Sequence, residues 1–161
     1  MRASLIALLS LLAFPLHAQA PGEITLGVGL GIGPRTGPVV SVAARGNGDA
    51  GVLCRAGGFI RATAISCGAT LWFAERQFAV AEGGIWVGRQ QAVRGPVPVN
   101  RLFLGLGTGI LGEGDRRARP VYDVGTVFYF ARWTDDGWSG DQGWGGYGEL
   151  RVEWAVDRRE E

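Results

Sequence analysis

The stretch ITLGVGLGIG, residues 24–33, decides the fold. Glycine occupies positions 27, 29, 31 and 33, and Leu26, Val28, Leu30 and Ile32 fall between them. A two-residue period marks an extended strand whose side chains alternate between two faces. One face here is aliphatic and the other is bare. Glycine weakens a strand interior, because it loses the most backbone entropy and offers nothing to pack. A strand that keeps four of them on one face therefore needs a reason for the empty space.

The device recurs. In RLFLGLGTGIL (101–111), Leu102, Leu104, Leu106 and Ile110 alternate with Phe103, Gly105, Gly107 and Gly109. Each glycine strand is followed by a turn and by a second strand opened by Pro-Val, at VVSVAAR (39–45) and PVYDVGTVFYFARW (120–133). The repetition predicts two hairpins in equivalent places of one sheet. In YGELRVEWAV (147–156), Leu150, Val152, Trp154 and Val156 share a face, and Glu149, Arg151 and Glu153 share the other. Across 120–133, Tyr122, Val124, Phe128 and Phe130 lie opposite Asp123 and Gly125.

Other segments are less regular. Residues 34–38 and 46–51 read as turns, and FIRATAISC (59–67) reads as extended. TLWFAERQFAVAE (70–82) fits either a strand pair or a short helix stopped by Gly83-Gly84. GPVPVN (95–100) reads as a stiff connector, because its two prolines are excluded from a central strand. WTDDGWSGDQGWGGY (133–147) reads as a loop.

The first twenty residues carry a secretory signal pattern. Arg2 is a basic start, Leu5 to Leu16 an apolar run, and Ala18-Gln19-Ala20 a cleavage site, with Ala18 as the alternative cut. That run is shorter than the roughly 20 residues of a spanning helix. Residues 21–161 then form one domain, long enough to bury a core. Export implies an oxidising compartment, so Cys54 and Cys67 are read as a disulfide, with turn signals between them at Gly57-Gly58.

Two architectures use such two-sided strands. A soluble periplasmic barrel or sandwich turns the apolar face inward, so that Leu26, Val28 and Leu30 line a lipocalin-like cavity for a small apolar ligand. A transmembrane barrel turns that face to lipid and fills its lumen with polar groups. The glycines favour the second, because a narrow lumen mixes small and bulky interior residues. On this reading the fold is all-β, an antiparallel up-and-down barrel of about eight strands. Asp123, Glu149, Arg151 and Glu153 form a lumen charge cluster, and Trp72 and Trp133 are candidates for interfacial girdles.

With its signal segment, length, alternation and last strand carrying Leu150, Val152 and Trp154, the chain resembles the small OmpA-like and OmpX-like outer-membrane β-barrels. The resemblance is architectural. It implies the outer membrane of a Gram-negative bacterium, with the periplasm as the location of the soluble alternative. It also implies a structural, envelope-interaction or narrow-pore role, with membrane lipid or lipopolysaccharide as surroundings and an envelope protein as a further possible partner. Outer-membrane lipid A deacylases are similar in size and fold but use a serine–histidine pair.

Residue chemistry argues against catalysis. There is no lysine, and the one histidine, His17, leaves with the signal segment, so no serine has an ordinary base. Two cysteines at this spacing do not make a zinc site. GTGILG (107–112) matches a dinucleotide fingerprint, but EGDRRARP follows it where a helix would have to begin. Asp135, Asp136 and Asp141 are oxygen donors without the spacing of a calcium loop. Trp138, Asp141 and Trp144 are candidates for loop recognition of a partner or sugar, and RRAR (116–119) for contact with phosphates. A formal net charge of +1 gives no field directed at nucleic acid. No cofactor is called for.

Overall fold

The computed structural model describes residues 23–46, 48–59, 62–92, 95–113, 118–134 and 137–156. The first twenty residues, where a signal segment is expected, lie outside the described residues with Asp135, Asp136, Arg116 and Arg117, as does the side chain of Asp141.

Eight antiparallel strands close on themselves in sequence order: β1 (Glu23–Ile32), β2 (Gly37–Arg45), β3 (Ala50–Phe59), β4 (Ala62–Ala74), β5 (Gln77–Ala92), β6 (Gly95–Leu111), β7 (Ala118–Thr134) and β8 (Gly137–Ala155). β1 and β8 complete the ring, with Leu26 opposite Trp154 and Leu30 opposite Leu150. The two glycine-bearing hairpins are β1–β2 and β6–β7. Segment 70–82 is a strand pair, β4 turning into β5 after Ala74. Gly83 and Gly84 lie inside β5 instead of ending a helix.

The register fixes the shape. Following paired residues from Thr25 through Ala43, Leu53, Gly68, Glu82, Gly105 and Val127 leads to Gly145, whereas Thr25 itself pairs with Ala155. This offset of ten residues along β8 is the shear of the barrel. Eight strands about 4.8 Å apart at that shear tilt by roughly 40° and enclose a cylinder about 16 Å across, narrow enough for side chains to fill.

The apolar face points outward. Leu26, Val28, Leu30 and Ile32 are exposed, as are Val40, Val42, Leu104, Leu106, Val124 and Leu150. The expectation that Leu26, Val28 and Leu30 line a cavity is therefore corrected: Leu30 is 65% exposed on the outer surface. Alternate outward positions over Ile24–Ile32, Pro38–Ala44, Val52–Ala56, Thr63–Phe73, Ala79–Val87, Leu102–Ile110, Pro120–Phe130 and Trp144–Trp154 hold no charged residue. From Trp154 to Trp144 this band spans roughly 25 Å along the axis at the tilt above.

The two ends differ. Near Glu23 and Ala155 the rim is even. At the distal end, β5–β8 (16–19 residues) run past β1–β4 (9–13 residues) as a projecting sheet. β8 pairs with β1 only from Gly148 onward, and its distal half has β7 as its strand neighbour.

Three sequence expectations are corrected in this region. GPVPVN is the start of β6, and its prolines are tolerated because β6–β7 pairing stops at Asn100, leaving that stretch an edge strand. Most of 133–147 is strand, in β7 up to Thr134 and in β8 from Gly137. Cross-strand rings compensate for its glycines: Trp133 stacks on Trp138 at 5.9 Å, and Phe128 meets Trp144 at 4.9 Å. Gly57 and Gly58 belong to β3 and do not make the expected turn between the cysteines. Cys54 and Cys67 are directly opposite on β3 and β4 and form a disulfide on the outer face.

Candidate functional site: an ionic plug in the barrel lumen

The inward positions that hold glycine in one strand hold long side chains in the next. A Cβ on Gly105 would lie 2.9 Å from Glu82 Cγ, and one on Gly31 would lie 3.3 Å from Glu149 Cγ. Gly29 faces Arg151, Gly107 and Gly125 face Tyr147, and Gly109 faces Phe78. The bare face of ITLGVGLGIG is thus the space these side chains occupy.

The lumen is filled in three layers. Toward the distal end, Ala64, Phe103, Val127 and Tyr147 form an apolar cluster, with Trp86 and Tyr129 packed on it. Toward the chain-terminal end, Phe78, Leu111 and Val121 form a second, with Trp72 against it. Trp72 points into the barrel mouth, where Arg45 lies 4.3 Å over its ring, so its expected place in an outer girdle is corrected.

Between the apolar layers lie three arginines and four carboxylates. Arg55 is the hub: it reaches Glu82 at 2.7 Å, Asp123 at 2.7 Å and Glu149 at 3.0 Å. Arg151 pairs with Asp123, with Glu149 at 3.0 Å and with Glu153 at 2.9 Å. Arg35 pairs with Glu149, with Glu82 at 2.9 Å, and donates to Ser66 Oγ at 2.9 Å. Thr25 donates to Glu153 at 3.0 Å and Ser66 to Glu82 at 2.7 Å. All seven charged groups are buried. Taking such ions from water costs several kcal/mol each, and only dense reciprocal bonding offsets it. Every one of these carboxylates meets at least one arginine, which is how the cost is met.

The four residues expected as a lumen cluster, Asp123, Glu149, Arg151 and Glu153, are brought together here. Arg35, Arg55 and Glu82 were missed. Arg35 comes from a 3-10 turn, Gly33–Arg35, between β1 and β2. Gly33 (φ 90°) and Gly37 (φ 116°) flank it in backbone conformations that L side chains avoid. Thr36 returns a hydroxyl to the Gly33 carbonyl at 2.6 Å. The turn thereby sends a guanidinium back into the barrel instead of out to solvent. Arg55 and Glu82 sit at inward parity, Arg55 between Leu53 and Gly57, and that parity was the available signal.

Trp138 and Trp144 are exposed on the outer side of the projecting β7–β8 hairpin. Asp141 is in β8, away from the plug. Of the RRAR motif, Arg119 pairs with Glu23 at the chain-terminal rim. GTGILG lies within and just after β6, with Gly107 and Gly109 facing the lumen and no helix following in the described residues. A small pocket of about 40 Å³ opens between the ionic layer and the Phe78 layer, lined in part by Thr25, Arg45, Leu53, Thr70 and Trp72. That volume holds a few waters at most, far below the roughly 300 Å³ and upward of a small-molecule site. The plug is suited to holding eight strands in register and closing the lumen. No protein-family model, curated protein or solved structure matches this chain.

Proposed function

We propose that the chain is a small integral outer-membrane β-barrel with a structural or envelope-interaction role, not an open pore and not an enzyme. The observation that carries the reading is sidedness. An uncharged, largely apolar band about 25 Å tall, the height expected of a lipid-facing surface, wraps the outside. Inside, three arginines and four carboxylates are paired away from it. Closure leaves no unpaired sheet edge within that band except where β8 outruns β1, a requirement for strands in hydrocarbon. The aromatic side chains Phe128, Phe130 and Trp144 at one edge of the band, with Phe73 and Trp154 at the other, suit headgroup depth.

The test is extraction of washed membranes with urea or carbonate, followed by gel mobility with and without boiling. Retention in the pellet and a mobility shift on boiling are expected. Release into the soluble fraction without a shift contradicts the proposal and returns the chain to a soluble periplasmic barrel.

A further inference from the structure

The disulfide between Cys54 and Cys67 lies on the outer face, within the uncharged band. The two cysteines are directly opposite on β3 and β4, and Val42 of β2 and Gly83 of β5 stand beside them. Along their own strands the next outward residues are Val52 and Ala56, and Ile65 and Ala69. Disulfides form and break by attack of a thiolate on a disulfide sulfur, through a mixed disulfide with the reagent. On the reading of this band as lipid-facing, on which the inference rests, hydrocarbon excludes that anion. No cationic side chain shares this face to stabilise it.

The strand that carries Cys54 specifies its own register poorly. AGVLCRAGGF has Gly51 and Gly57 at inward parity and Gly58 at outward parity. Glycine-rich strands are prone to slip, and a slip of one residue turns every side chain to the opposite face. For β3 that slip carries Arg55, the hub of the plug, from the lumen into the band. The disulfide joins the residue just before Arg55 to the residue just after Ser66, and Arg55 and Ser66 are themselves paired across the two strands.

We propose that the Cys54–Cys67 bond is made on the unfolded chain, before the barrel closes, by exchange with a disulfide-bearing oxidant in water. The β3–β4 hairpin then reaches the membrane already in register, with Arg55 committed to the lumen. Each thiol gives up one proton. The thiolate of one cysteine attacks a sulfur of the oxidant, forming the mixed disulfide and releasing the oxidant's first thiolate. The thiolate of the other cysteine attacks its partner's sulfur, forming the intrachain bond and releasing the second. Two electrons pass to the oxidant. Thiol oxidation is therefore the class of reaction that must precede assembly of this barrel.

In the experiment the full chain, reduced in urea, is diluted into phosphatidylcholine vesicles, washed with carbonate and given oxidised glutathione. Samples are quenched with acid, and thiols that remain are counted with a charged maleimide after solubilisation. The same chain held unfolded in urea is the reference. In barrels that show the boiling-dependent mobility shift, bond formation is expected to be roughly 100-fold or more slower than in urea. A reduced chain that never acquires the mobility shift, where the oxidised chain does, equally puts the bond before closure. Comparable rates in protein that carbonate leaves in the vesicles overturn this inference alone. Release by carbonate overturns the membrane reading, and the inference with it.

Discussion

Replacing Arg55 by methionine removes the hub of the lumen. The side chain contacts three carboxylates, Glu82, Asp123 and Glu149, at 2.7, 2.7 and 3.0 Å. Methionine refills much of the volume, so the main effect is electrostatic. The plug goes from three arginines against four carboxylates to two against four, in a buried layer. Arg35 and Arg151 still reach Glu82, Asp123 and Glu149, so no acid is stranded outright. Removing one member of a buried ionic set costs about 3–5 kcal/mol. With a urea slope of about 2 kcal/mol/M, the unfolding midpoint in detergent falls by roughly 2 M. The same principle sets a control. Converting Glu82 to glutamine in the Arg55→Met background returns the excess to one carboxylate, as in the wild type, and recovers a good part of the loss, whereas two unrelated lesions add. A midpoint within about 0.5 M of wild type for Arg55→Met, or strictly additive losses in the double variant, would refute the claim that the plug is one coupled network.

Three further expectations follow from the same geometry. Gly105→Leu drives a side chain into Glu82, whose Cγ already lies 2.9 Å from the Cβ position, so the barrel does not close and boiled and unboiled samples co-migrate. Replacing Cys54 and Cys67 together by alanine costs about 2–3 kcal/mol, read as a lower urea midpoint, because the bridge closes a short loop between neighbouring strands. Planar-bilayer recordings of the wild type show no discrete conductance steps, since two apolar layers and the ionic plug fill the lumen; stepwise openings would contradict a closed interior.

Much of this was legible because a strand has a period of two. Once Leu26 and Gly27 were assigned to opposite faces, the sidedness of β1, β6 and β8 followed, and so did the grouping of Glu149, Arg151 and Glu153. Which face points outward was not in the alternation. Glycine points to it, and the answer lies in contacts from other strands, such as Arg151 over Gly29 and Tyr147 over Gly107. Arg35 was illegible for a different reason. It sits in PRTGP, a turn by composition, and only the positive φ of Gly33 and Gly37 aims it inward. Glu82 was hidden by the helix-or-strand ambiguity of 70–82, which strand pairing from β4 to β6 resolves. Pro96 and Pro98 misled because their exclusion applies to central strands, and a sequence does not reveal where a neighbour stops.

The most direct measurement compares two arginine substitutions on the outer face of β1. Leu30 lies near the middle of the apolar band and Ile24 at its chain-terminal edge, and both point outward. In lipid, arginine costs about 2–4 kcal/mol near the midplane and about 0–1 kcal/mol near an interface. Unfolding of Leu30→Arg and Ile24→Arg, each reconstituted in bilayers, should therefore show a penalty at position 30 that exceeds the one at 24 by about 2 kcal/mol or more. Equal and negligible penalties at the two positions would mean that this surface faces water, and the membrane account would fall.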